Sequence, residues 1–344
     1  MEETQRYQAL DGIRGVAILL VLVSHARTAK GMPDYPQWYW HLADVGNLGV
    51  RIFFVLSGFI ITHLLLREAH RTSNISLRAF YIRRAFRITP PIIGMMCVVG
   101  LGVWLGYFEV PRRQLLMILA FVGNYATVHN GWTIGHLWSL AVEEQFYLLW
   151  PAVLACTVRK PQLRYLFIMV SFLLAPTMRA LNVLYGAGTP FGFFENSDAL
   201  AMGAFAALVL VDSNFARLRR ILETVPSLLS AAMIVVLQLD PVSDLARAAI
   251  RNPLIHLFLA ALILRVIRSE PDLGMRILSS PPLVFIGTIS YSLYLFQQPA
   301  LNQPPAPGMI GVPWSILAAF IFAIASYYFI ERQSAKWRSR ILQQ

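Results

Sequence analysis

Cysteine and charged residues are both scarce in this 344-residue chain. The two cysteines, Cys97 and Cys156, each lie within an apolar run, which excludes a disulfide framework and a four-ligand zinc site. Lys, Arg, Asp and Glu make up only 14% of the residues, whereas 57% are hydrophobic. A soluble globule of this composition would expose a large apolar surface. The sequence therefore predicts a polytopic membrane protein without a metal centre.

The chain also lacks the segments that would mark a separate soluble domain or a cleaved leader. No connection between apolar runs is long enough for a soluble domain, and no internal repeat or low-complexity tract occurs. The first residues are acidic where a signal peptide would be basic, and no small-residue cleavage site follows the first apolar run. We expect residues 1–344 to form one membrane-embedded domain whose first apolar segment remains as a span.

Apolar runs, bounded by charged residues or by glycine and proline, dominate what is present. They lie near residues 12–28, 46–66, 88–108, 114–126, 137–157, 163–184, 193–212, 221–239, 248–267, 283–303 and 310–330. All but the run at 114–126 are long enough to cross a bilayer as helices.

The basic residues decide the expected orientation. They concentrate at 67–87, 159–164, 217–220, 265–276 and 332–340. If 114–126 is re-entrant or peripheral, all five clusters lie on one side, which the positive-inside rule makes cytoplasmic. We therefore expect an all-α helical bundle of about ten transmembrane helices plus one re-entrant or peripheral helix. Both termini would be cytoplasmic and the protein would lie in the inner (plasma) membrane. The net charge of +11 then reflects topology and not a nucleic-acid partner.

Residues 10–25 place ionisable groups inside an apolar helix, where a charge is costly unless it is paired or functional. Arg14 and His25 are separated by almost three whole turns, so they share a face about 16 Å apart along the axis. Asp11 lies on the same side. This stripe must face protein or water. The alternative is a simple Asp11–Arg14 pair at a helix start together with a packed histidine.

Adjacent carboxylates, Glu143 and Glu144, lie in the middle of the run at 137–157, between Trp138 and Trp150. On the expected topology they share a depth with His25. Neighbouring helix residues point about 100° apart, so only one glutamate can readily face the histidine. A histidine oriented by a carboxylate is the arrangement expected of a general base. Glutamates satisfied by helix packing are the alternative.

Three arginines, Arg83, Arg84 and Arg87, stand at three- and four-residue spacing at the start of the third span. Such a fork of guanidinium groups suits a phosphate or a carboxylate. A positive-inside cluster without a ligand explains the same spacing equally well.

Two further runs contain polar residues. Ser57 and Gly58 interrupt the second span, where helix packing is the favoured interpretation and no G-x-S-x-G elbow supports a serine nucleophile. Near the C-terminus, polar side chains in one span indicate either a lined cavity or hydrogen bonds between helices: Tyr291, Tyr294, Gln297 and Gln298.

Five segments in this order resemble the membrane acyltransferase-3 family over nearly the whole chain: LDGIRGVAILLVLVSH, FFVLSGF, RRAFRITPP, LWSLAVEEQFYLLWP and ISYSLYL. The resemblance implies an integral membrane enzyme that moves an acyl group, usually acetyl, from acyl-CoA to a hydroxyl of a surface polysaccharide, lipid-linked sugar or related acceptor. It implies a form without the periplasmic hydrolase-like domain that some members carry.

The resemblance also implies residue roles. His25 would be the catalytic histidine, Arg14 the first-helix arginine, and Glu143 the leading acid of the fifth-span motif. Arg84 and Arg87 would be the pair associated with the acyl donor. The chain departs from the family pattern at Arg51, where an acidic residue is usual, at Asn196, where arginine is common, and at Gln297, where histidine is frequent.

Together these observations predict an acyl-CoA-dependent O-acyltransferase. Its expected catalytic residues are His25, Glu143 and Glu144, and Arg14, Arg84 and Arg87 are expected to bind the donor. No permanently bound cofactor is expected, because acyl-CoA, in the first place acetyl-CoA, is a substrate. The expected partners are this donor, a carbohydrate or other hydroxyl-bearing acceptor, and the lipid bilayer. One rival is a transporter or flippase of a polar small molecule, in which the same residues bind substrate or relay protons, and another is a catalytically silent sensor.

Overall fold

A computed structural model describes residues 2–27, 29–32, 45–125, 131–158, 160–268, 271–301 and 310–343. Within these ranges the chain is almost entirely helical and contains no β-strand. The expected all-α membrane bundle is therefore confirmed.

The helices follow one another with short connections. The first eight are α1 (Glu2–Ala26), α2 (Val45–Thr72), α3 (Leu77–Trp104), α4 (Arg112–Leu119), α5 (Trp132–Gly135), α6 (Leu137–Cys156), α7 (Gln162–Tyr185) and α8 (Phe193–Val211). The remainder are α9 (Ala216–Thr224), α10 (Ser227–Leu239), α11 (Asn252–Arg268), α12 (Leu273–Leu278), α13 (Pro281–Thr288), α14 (Ser290–Leu301), α15 (Trp314–Ser326) and α16 (Arg332–Gln343). A helical turn, Asp244–Ala246, and a π-helical segment, Arg247–Arg251, precede α11, and a second π-helical segment, Tyr327–Glu331, joins α15 to α16.

Among the described residues, seven helices are long and apolar enough to cross a membrane. The number becomes eight if the segments on either side of an 82° bend, Ser213–Thr224 and Ser227–Leu239, count as one span. The expected ten crossings are not confirmed. The run at 283–303 is divided into α13 and α14, and neither part alone has the roughly 20 residues that a span requires.

The run at 114–126 is correctly predicted as too short to cross. Its helix, α4, has eight residues and is about 12 Å long, less than half the thickness of a hydrocarbon core. The chain after α4 instead packs on α6, where the Gln145 amide donates to the Phe121 carbonyl (2.7 Å) and to Asn124 Oδ1 (2.9 Å).

The core centres on α2, which packs closely against α8 because two glycines bring their backbones together. A Cβ atom on Gly58 would lie 2.0 Å from the Leu200 carbonyl oxygen, and one on Gly203 would lie 1.9 Å from that of Val55. No side chain fits at either point. The expectation that Gly58 serves helix packing is therefore confirmed.

The two ends of the bundle differ in chemistry. At one end the last turn of α1, which carries His25, lies beside the first turn of α2, since a Cβ on Gly46 would lie 2.6 Å from Ser24 Oγ. We call this the His25 end. At the opposite end, α2 leads into α3 through the connection at 73–76, and Arg83 forms an ion pair with Glu68 (3.0 Å).

Candidate active site

A cavity of about 110 Å³ gathers most of the predicted site residues between α1, α2, α3, α6 and α14. Four of the six line it: Arg14, Arg84, Arg87 and Glu143. Other polar groups on its wall come from Ser57, Ser139, Tyr147, Ser290, Tyr291 and Tyr294. We call it the arginine cavity, because its lining holds three guanidinium groups and one carboxylate.

Arg84 lies over the ring of Tyr147, with its guanidinium carbon 3.9 Å from the ring centroid. This cation–π contact uses the face of the guanidinium and leaves its N–H edges directed outward in the plane of the group. Arg87, one turn further along α3, lines the same cavity. Arg84 and Arg87 thus line one space, whereas Arg83, the third arginine of the predicted fork, pairs with Glu68.

Glu143 is held by two hydroxyl groups. Ser57 on α2 donates to its Oε1 atom (2.8 Å), and Tyr147, one turn along α6, donates to its Oε2 atom (3.2 Å). The sequence interpretation of Ser57 as a packing residue missed this contact. The only available signal was a hydroxyl in an otherwise apolar helix, which has many packing explanations.

Glu144 points elsewhere. It is half-buried, it is absent from the lining of the arginine cavity, and its Oε1 atom is buried without a hydrogen-bond partner among the described residues. The two neighbouring carboxylates thus have different surroundings, but neither forms a hydrogen bond with His25 in the part of the chain that the structure describes.

Arg14 is both paired with Asp11 and part of the cavity wall, so the structure agrees with the two interpretations of this residue, an ion pair at a helix start and a polar group that faces protein. It lies 3.4 Å from Asp11, the pair expected at a helix start, and it also lines the arginine cavity. The ion pair is long and Asp11 is 37% exposed, so it contributes little to stability.

His25 is oriented by amides and not by a carboxylate. Its Nδ1 atom donates to Gln297 Oε1 (2.8 Å), its Nε2 atom lies 3.4 Å from Gln298 Nε2, and its ring makes an edge contact with Trp132 (5.2 Å between centroids). The expected hydrogen bond from His25 to Glu143 or Glu144 is wrong, because the two ring nitrogens contact Gln297 and Gln298 instead.

The two glutamates do not contact His25 because they lie further along α6 than the residues that do. Gln298, which contacts His25, also accepts from the backbone N–H of His136 (2.9 Å) at the start of this helix. Glu143 lies seven residues further on, which is about 10 Å along the axis. The two glutamates therefore lie too deep to reach the histidine.

A series of hydrogen bonds links the arginine cavity to His25. At the cavity wall, Ser139 donates to the Tyr294 hydroxyl (2.5 Å), which donates to the His136 carbonyl (2.7 Å). Gln298 then joins His136 to His25. Tyr291 and Tyr294 thus line a cavity, whereas Gln297 and Gln298 form hydrogen bonds between helices. Sequence reasoning assigned no role to His136, since a lone histidine in a connection carries no distinctive spacing.

Comparison with known proteins identifies the family of the chain. The sequence model of a family described as an acyltransferase domain matches residues 7–303. A peptidoglycan O-acetyltransferase of Listeria monocytogenes is 28% identical over 96% of this chain and 57% of its own length. A putative O-acetyltransferase of Staphylococcus aureus is 29% identical over 97% of this chain and 59% of its own length. A putative peptidoglycan O-acetyltransferase of Bacillus subtilis is 30% identical over 94% of this chain and 54% of its own length.

The chain spans less than two thirds of the length of these relatives. No solved structure matches it. Because the family match covers most of the chain, including every predicted site residue, the protein belongs to the membrane acyltransferase-3 family.

Proposed function

We propose that the protein is a membrane O-acetyltransferase that moves an acetyl group from acetyl-CoA to a hydroxyl of a cell-wall glycan. The observation that carries the proposal is the arginine cavity, with three guanidinium groups and one carboxylate on its wall. The names of the relatives from Listeria and Bacillus support peptidoglycan as the acceptor class. A transporter is not favoured, because the family match is to acyltransferases.

The donor would bind through its phosphates. Acyl-CoA is polyanionic, and the lining of the arginine cavity carries a formal excess of two positive charges. Arg84 and Arg87 offer planar donors suited to phosphate oxygens. Glu143, held by Ser57 and Tyr147, limits this excess and fixes the ring on which Arg84 stacks.

His25 would act as the general base. With Nδ1–H donating to Gln297, Nε2 is the basic atom, and the acceptor hydroxyl would displace the long contact (3.4 Å) that the Gln298 amide makes with its lone pair. It takes the proton of the acceptor hydroxyl while that oxygen attacks the thioester carbonyl carbon. The C–S bond then breaks, and the CoA sulfur leaves as a thiolate, which is protonated to the thiol by the proton that the His25 imidazolium gives up. Such a base contributes about 10²–10⁴ in rate.

We place the five basic clusters, and with them both termini, on the cytoplasmic side of the inner membrane. The donor then enters near Arg84, close to the N-terminal, cytoplasmic end of α3. His25 lies toward the outer face. The hydrogen bonds from Ser139 through Tyr294, His136 and Gln298 connect the arginine cavity with His25.

The test uses the purified chain in lipid nanodiscs with acetyl-CoA and a soluble peptidoglycan fragment. We expect release of free CoA thiol that depends on the fragment, and a fragment heavier by one acetyl group in mass spectrometry. Arg84→Lys should weaken turnover at low donor concentration, whereas Arg338→Lys in α16, outside the cavity, should not. Absence of thiol release from the wild-type chain would refute the proposal.

A further inference from the structure

A second, larger cavity lies at the His25 end of the bundle. Its volume is about 390 Å³, and its walls come from the start of α2, α6 and α8, the end of α7, the start of α11 and the segment that leads into it. None of the six predicted site residues lines it. It is therefore distinct from the arginine cavity.

The walls of the second cavity are held rigidly by Arg179. This side chain forms a two-point ion pair with Asp198 (2.9 and 2.8 Å) and also donates to the carbonyl groups of Glu195 (2.6 Å) and Ala248 (3.0 Å). These bonds join α7, α8 and the π-helical segment before α11. A cavity whose walls are fixed in this way is preformed for a ligand.

Several buried polar atoms on the wall lack hydrogen bonds among the described residues, and Asn252 and His256 are the most deeply buried side chains that carry them. Asn252 is 4% exposed and His256 is 2% exposed, and both line the second cavity. Asn252 Oδ1 and His256 Nε2 have no hydrogen-bond partner among the described residues. Buried polar atoms are nearly always paired, so these two indicate a ligand that supplies a donor or acceptor.

The charge of the wall indicates a neutral ligand. Three arginines, Arg51, Arg179 and Arg247, are balanced by three carboxylates, Glu195, Asp198 and Asp244. This balance contrasts with the positive arginine cavity and does not suit a phosphate. Four asparagines lie on the wall, Asn47, Asn182, Asn196 and Asn252, of which Asn182 and Asn196 already donate to backbone carbonyl groups.

Aromatic rings complete the lining. Trp138 and Phe191 lie 4.9 Å apart between ring centroids and are both half-buried. Apolar ring faces among neutral amides match a sugar, whose C–H faces are apolar and whose edge carries hydroxyl groups.

The second cavity adjoins the proposed catalytic apparatus. Val50 lines both cavities, and Trp138 of the second is followed in sequence by Ser139 of the first. Two residues before Trp138, His136 is joined through Gln298 to His25. A ligand in the second cavity would thus lie beside the residues that link the arginine cavity to the proposed base.

We propose that the second cavity binds a neutral sugar unit of the acceptor, with Asn252 and His256 pairing its hydroxyl or amide groups and Trp138 contacting its apolar face. The proposal rests on the proposed function for the acceptor's role in the reaction.

The experiment measures binding without catalysis. Chitotetraose, a neutral N-acetylglucosamine tetramer, is titrated by calorimetry into the wild-type chain in nanodiscs and into Asn252→Leu and Trp138→Leu variants. Asn214→Leu and Trp337→Leu, which change exposed residues away from the cavity, are the matched controls. We expect both cavity variants to weaken binding at least tenfold and the controls to bind as the wild type does. Thermal melting identifies any variant that fails to fold, in which case the other cavity variant decides.

Acetyl-CoA turnover is measured separately on the same samples. A wild-type chain that binds no chitotetraose, or cavity variants that bind it normally, would overturn the sugar site even if acetyl-CoA is consumed. Loss of chitotetraose binding on addition of inorganic phosphate would also overturn it, in favour of an anion site. Binding that depends on Asn252 and Trp138 without acetyl-CoA turnover would uphold the sugar site and refute only the proposed function.

Discussion

The Nδ1 atom of His25 lies 2.8 Å from Oε1 of Gln297, which joins the end of α1 to α14 across 272 residues of sequence. An amide oxygen accepts a hydrogen bond but carries no charge. It therefore fixes the ring tautomer as a carboxylate would, without the electrostatic stabilisation that a carboxylate gives to the protonated ring.

This relationship predicts the effect of Gln297→Leu. Without the amide the ring is free to change tautomer and rotate, so kcat should fall about 10- to 100-fold while the KM values for both substrates remain within twofold. Steady-state kinetics of the purified variant measures this. Gln162→Leu, at an exposed position at the start of α7, is the control. Unchanged kcat would show that Gln297 does not position the base.

His25→Ala should abolish acetyl transfer while the protein remains folded in the membrane, because it removes the proposed base from a site already lined by polar groups. Mass spectrometry of cell-wall glycans from complemented cells measures the product, and size-exclusion chromatography monitors folding. His70→Ala, at an exposed position, should retain activity. Wild-type levels of acetylated glycan with His25→Ala would end this mechanism.

The double variant Arg84→Lys/Arg87→Lys keeps the positive charge but loses the planar two-point geometry. It should insert normally, and its KM for acetyl-CoA should rise at least tenfold while the KM for the acceptor changes little. Initial rates over a donor concentration series measure this. Normal donor affinity and turnover would show that both arginines serve only as part of a positive-inside cluster and do not bind the donor.

Gly58→Ala should destabilise the bundle. The added methyl group would meet the Leu200 carbonyl oxygen at 2.0 Å, so α2 and α8 must separate at a cost of about 3 kcal/mol. Gly100→Ala is the matched control, since nothing lies within 4 Å of its added Cβ. Thermal melting in detergent should show a clear fall for the first variant and none for the second.

Cysteine accessibility tests the proposed orientation. Cys97 and Cys156 are both exposed, so they must first be changed to serine. A cysteine at Ser73, between α2 and α3, should then resist an impermeant thiol reagent in intact cells, and one at Gly186, after α7, should react. Labelling at position 73 without membrane disruption would reverse the topology.

The amino-acid sequence determined the class of this protein and indicated several residues of its candidate site. Apolar content, helix-length runs and the placement of arginine were enough to predict a helical membrane bundle and a fourth run too short to cross, because these features depend on local composition. The ordered motifs identified the family. They also selected Arg14, Arg84, Arg87 and Glu143, which the structure brings to one cavity.

The tertiary structure decided which side chains meet. The sequence predicted a carboxylate partner for His25, but helical period and depth do not specify how α1, α6 and α14 pack, and the partner is Gln297. The number of spans also depended on packing, since a continuous apolar run can break into two helices, as at 281–301, or bend sharply. The sequence could not predict the second cavity either. Its wall forms only when distant helices pack together and bring Arg179, Asp198 and Asn252 into contact with one space.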